Sequence, residues 1–190
     1  MLIPKALRRG GVSASAALSV YGTISGMALP VLGFASVFFS SLSELLIPEL
    51  TQLQIRGCSR ELNRTNGRVL TLSLCGSSVI ALILFLLGPM LGKLLYQSSS
   101  AGEYIRLLAP IVIVQYSDSV VDGMLKGLGL QLRSMYINIS DAALTLIAVW
   151  LLLPRFGAPA YIAILYGSEC FNFLLSLLVL RRHSGCRLCL

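Results

Sequence analysis

Charge is what this sequence has least of. Only 12% of its 190 residues are Asp, Glu, Lys or Arg, about half the roughly 25% of a soluble domain. Apolar residues make up 56% and the mean hydropathy is +0.82. A chain so composed cannot hide its apolar surface from water in one globule, which excludes a typical cytosolic enzyme, a disordered region and a secreted disulfide scaffold. Histidine is nearly missing as well: His183 is the single copy. A Ser-His-Asp triad or a His-rich zinc site has almost nothing to be built from. The Walker A, G-x-S-x-G and H-E-x-x-H patterns are absent, so neither an enzyme nor a cofactor is expected. The cysteines Cys58, Cys75, Cys170, Cys186 and Cys189 are odd in number, and two fall within apolar runs, so no disulfide framework follows. His183, Cys186 and Cys189 supply three of the four ligands of a structural zinc site, and no metal is expected there.

What the chain has instead is long apolar runs. A bilayer core takes about 20 helical residues to cross, and five stretches qualify, at about 19–46, 69–87, 105–124, 135–153 and 158–180. The expected fold is all-α, a polytopic bundle of five transmembrane helices over 19–180. An external amphipathic segment, 1–18, precedes it, and a basic cytoplasmic tail, 181–190, follows. Gly22, Gly26, Pro30 and Gly33 interrupt the first span, and a bend is expected near Pro30. The second is expected to end at Gly88-Pro89 and the fourth at Pro154. Residues 97–102 are read as a turn, with Ser100 and Glu103 as a capping box for the third span. Gly127-x-Gly129 lacks the third glycine of a dinucleotide fingerprint and is read as a tight turn.

Net charge is +7, from 15 Lys and Arg against 8 Asp and Glu. The basic residues fall in the gaps between runs, where they set orientation rather than bind nucleic acid. Nine lie on the side of the 49–68 loop and the C-terminus, and six on the other. The positive-inside rule then places that loop and the tail in the cytoplasm and the N-terminus outside.

Four polar side chains in or beside the runs are the candidate substrate-pathway residues. Asp118 and Asp122 are spaced i, i+4 on one helix face, with Lys126 one turn further. A charge at mid-bilayer costs at least ~2.5 kcal/mol, which is tolerated where the face lines a watery cavity or finds a partner. A polar stripe along a transport path and an interfacial Asp122–Lys126 pair both fit. Glu169 sits midway along the fifth span with no charged residue at i±3 or i±4. Arg106, near the start of the third span, has the right group for an anionic headgroup or pyrophosphate, and snorkelling to the interface is its ordinary alternative. Asp141 and Glu44 are read as interfacial.

Several segments carry a family resemblance: Leu2-Ile3-Pro4, Ala17 to Gly22, Ser25 to Pro30, Ser40 to Leu50, Ala101 to Pro110, Lys126 to Gly129 and Asn138. Over about residues 1–180 the chain resembles the polysaccharide and lipid-linked oligosaccharide flippases of the multidrug/oligosaccharidyl-lipid/polysaccharide (MATE-like) superfamily. That resemblance implies a transporter of two pseudo-symmetric lobes, of which this chain is most of the C-terminal one, a fragment lacking its N-terminal partner lobe. It also implies a bacterial cytoplasmic membrane, a lipid-linked sugar or peptidoglycan precursor as cargo in cell-wall synthesis or sporulation, and membrane lipids as further partners. The alternatives are a cation-coupled drug exporter, with carboxylates as proton or Na⁺ sites, and an inactive membrane remnant or interaction subunit.

Overall fold

The computed structural model describes residues 14–57 and 59–184. The tail cysteines and most of the amphipathic segment expected at 1–18 lie outside them. The described residues form helices and turns, with no strand among them. In chain order they are α1 (Ala14–Thr23), a π-helical turn (Ile24–Ala28), α2 (Leu29–Phe34), α3 (Ser36–Ile55), α4 (Ser59–Tyr96), α5 (Ser99–Leu108), α6 (Ile111–Gly127), α7 (Gln131–Phe156) and α8 (Ala158–Ser184). Three helices, α4, α7 and α8, are long and apolar enough to cross a membrane. Two bent pairs, α1–α2 with α3 and α5 with α6, bring the total to five if each pair is one span. The chain is an all-α polytopic membrane bundle.

The breaks fall elsewhere than the sequence suggests. The first span bends by 50° at Ala35 and not at Pro30. The π-helical turn explains why: there Leu29 N–H reaches back five residues to Ile24 O, and Pro30 follows at the start of α2, where a missing N–H costs little. At Ala35 the carbonyls left open by the bend find side chains instead. Ser36 Oγ donates to Gly33 O at 2.6 Å, and the Tyr116 hydroxyl donates to Leu32 O.

The second run is one helix of 38 residues that passes straight through Pro89, so the 49–68 loop reduces to a turn around Gly57, whose φ is +70°. The reason it continues is packing. A Cβ on Gly88 would lie 3.0 Å from Arg106 N, and one on Gly102 only 2.7 Å from Pro89 Cα, so α4 and α5 meet backbone to backbone across the proline. Between them Gln97 takes φ +50°. Gln97 N–H then bonds Lys93 O at 3.0 Å, the bond of an αL cap, and Ser98 N–H bonds Gly92 O at 3.2 Å. The N-cap of α5 is Ser98, whose hydroxyl accepts from Ala101 N–H, rather than the Ser100–Glu103 box. The third span is itself broken by 55° at Ala109-Pro110. Helix α7, the fourth expected span, runs two residues beyond Pro154, to Phe156.

Helix α6 is the centre, packed against α3, α4 and α8, while α7 leans mainly on α8. Its Val112, Tyr116, Val120, Val121, Met124 and Leu125 are fully buried. Gly123 lets α3 approach so closely that a Cβ there would sit 2.9 Å from Ser43 O. Gly129, at φ +70°, makes the tight turn into α7, and Thr51 Oγ1 from α3 donates to Gly127 O at 2.8 Å. Large apolar side chains such as Leu82, Leu86, Leu146 and Trp150 face outward, the inverse of a soluble protein and the pattern that lipid requires.

Candidate functional site

A polar cluster within the apolar bundle is a feature whose presence needs explaining. Three helices build it. From α7 come Asn138, Asp141 and Thr145, spaced i, i+3, i+7 on one face, and from α8 come Ser168, Glu169, Asn172 and Ser176. The Ser168 hydroxyl donates to both Asp141 carboxylate oxygens at 2.8 Å and receives Thr145 Oγ1 at 3.0 Å. Asn172 Nδ2 donates to Asn138 Oδ1 at 2.9 Å. Hydroxyls and amides thus zip α7 to α8, a usual device where the surroundings are as apolar as the side chains.

From α6, half-buried Asp118 has the Ser176 side chain as its hydrogen-bonding neighbour, and its Oδ1 is buried without a partner. Asp118 and Asp141 are the charged neighbours of Glu169. Asp118 in turn has Asp122 and Asp141 as charged neighbours, so four carboxyl groups from three helices are linked by their fields. Among the described residues no three acidic, Cys or His side chains converge as metal ligands. A serine pair, Ser77 and Ser117, continues the polar track from α6 onto α4, oxygen to oxygen at 3.5 Å.

The candidates named from sequence divide accordingly. Asp118 and Glu169 come together. Asp122, although it shares a helix face with Asp118, is engaged by Lys126 Nζ at 2.6 Å and by the Ser134 hydroxyl, so it ties α6 to the start of α7. Arg106 stands apart on α5, exposed, with its guanidinium 4.7 Å from the Phe85 ring centre in cation–π contact. Asp141, read as interfacial, belongs to the cluster with Ser168, Asn172 and Ser176. Their signal was present: 168, 172 and 176 follow one another at i+4, a polar stripe along an apolar helix.

No family model matches the chain, and no solved structure matches it. Among curated proteins, it is 25% identical over 142 residues to stage V sporulation protein B of Bacillus subtilis (strain 168). The match covers 75% of this chain and 27% of that protein, so the chain spans about a quarter of its relative's length.

Proposed function

We propose that this chain is one lobe of a flippase that carries a lipid-linked polysaccharide or peptidoglycan precursor across the bacterial cytoplasmic membrane, without covalent chemistry. The observation that carries the reading is the cluster of Asp118, Asp141 and Glu169 inside an otherwise apolar bundle, where each charge is costly unless a polar passage or partner receives it. Similarity to stage V sporulation protein B supports a role in sporulation, and the sequence's resemblance to lipid-linked oligosaccharide flippases supports the cargo class and a role in cell-wall synthesis. In this account a partner lobe faces the cluster, substrate lies at the interface of the two, and one rocks against the other. The lobe alone leaves that face open and does not transport.

A chimaera tests the reading. The matched region of the Bacillus protein is replaced by this chain and expressed in a strain lacking that protein. Restored sporulation at normal membrane abundance is expected, and failure of an abundant, folded chimaera would overturn the assignment. Cation-coupled export has the same three carboxylates in its favour. It predicts that a proton or Na⁺ gradient drives dye efflux by the chimaera, whereas the flippase reading predicts no efflux. Orientation follows the nine-to-six basic asymmetry: on a Cys-less background, an impermeant thiol reagent should label a cysteine at Ser99 in intact cells and spare one at Arg60. The opposite pattern reverses the topology.

A further inference from the structure

The α7–α8 hairpin is tied at two levels and open between them. At one level Asn138–Asn172 and Asp141–Ser168 hold the helices together. At the other, Gly157 turns the chain, with its N–H on Leu153 O at 3.0 Å. In the interval α8 presents Ala160, Ala163 and Gly167 to α7, and a groove of about 560 Å³ remains. Its walls are apolar apart from Asp141, Thr145 and Ser168 at the deep end, and these three are engaged with one another.

The walls limit the occupant. From Asp141 to Phe156 the groove runs about 22 Å along α7 at ~1.5 Å per residue. Apolar over that length, it suits one extended alkyl chain. Charge fixes the direction. Asp141 lies at the deep end, where an anion is repelled. Exposed Arg155 lies three residues beyond Leu152 on the same side of α7, at the turn end of the hairpin.

We propose that this groove binds one acyl chain of an anionic phospholipid, with the phosphate on Arg155 and the chain tip near Thr145. The inference does not depend on the flippase reading, since lipid occupancy is measured without transport. The full chain is purified in detergent, washed free of lipid and incubated with phosphatidylglycerol or phosphatidylcholine, and retained lipid is counted by native mass spectrometry. One retained phosphatidylglycerol is expected, favoured about fivefold over phosphatidylcholine, the preference that one surface cation confers. Arg155→Gln should remove the preference and keep the occupancy. Ala163→Leu fills the groove and should lower retention of either lipid at least fivefold, whereas Ala143→Leu on the exposed side should not. Equal retention in the two leucine variants overturns the site, and equal affinity of the wild type for both lipids overturns the role of Arg155. If Ala163→Leu loses its helical circular dichroism, a phosphatidylglycerol carrying a diazirine at the chain tip decides on the wild type. Adducts at Leu144 and Thr145 support the groove, and their absence overturns it.

Discussion

Helices α6 and α8 cross the same bundle and carry acidic residues at similar depth, yet they are held by different forces. Around α6 the grip is steric: Gly123 and Gly127 admit the α3 backbone, and the fully buried Tyr116 stacks on Phe39 at 4.9 Å. Along α8 it is polar: Ser168, Asn172 and Ser176 reach hydroxyls, amides and carboxylates, while no neighbour comes within 4 Å of a Cβ placed on Gly167. In lipid, where apolar burial drives little association between helices, close backbone approach and hydrogen bonds divide the task. Here they divide it by region, a tight α3–α6 body and a hairpin fastened to it by polar pairs.

One substitution made in both regions should break the comparison most visibly. Gly123→Ala forces a methyl into the Ser43 hydroxyl and, behind it, the Ser43 Cβ and carbonyl, and should cost about 2–3 kcal/mol, as overpacking does. Gly167→Ala meets open space and should stabilise by up to ~1 kcal/mol through helix propensity. Reversible unfolding in mixed micelles measures both, and equal effects would erase the distinction. Tyr116→Phe keeps the ring on Phe39 but strips Leu32 O at the bend of its donor, so about 1–3 kcal/mol should be lost. Smallest of all, Asn172→Leu should cost only ~0.6 kcal/mol, the average of a hydrogen bond between membrane helices. A loss above 2 kcal/mol there would mean that the α7–α8 pairs carry more than the comparison allows.

Five runs of apolar residues were legible because a membrane span is a matter of length and hydropathy alone. The interruptions were not. Pro30, Pro89 and Pro154 all looked like places to bend or stop. Whether a proline breaks a helix depends on its surroundings: Pro30 follows a π-turn at Ile24–Ala28, and α5 packs across Gly88 beside Pro89. The 49–68 stretch looked like a loop because its arginines recur, although Leu62, Asn66 and Leu70 recur at helical spacing too and are buried. In the polar cluster, Asp118 and Glu169 stood out because a lone carboxylate in an apolar run is costly. Asp141, Ser168 and Asn172 are ordinary singly and become a site only when α7 folds onto α8, a tertiary fact that neither helix announces by itself.

The central claim, that the cluster serves a transport path, rests most heavily on Asp118, whose Oδ1 is buried without a partner. Asp118→Asn nearly preserves the shape of the side chain and removes the charge. Introduced into the chimaera with stage V sporulation protein B, at matched membrane levels, it should leave the protein inserted and as thermally stable as the parent while sporulation falls at least tenfold. Sporulation equal to the parent's would show that Asp118 is a structural bystander and would contradict the account.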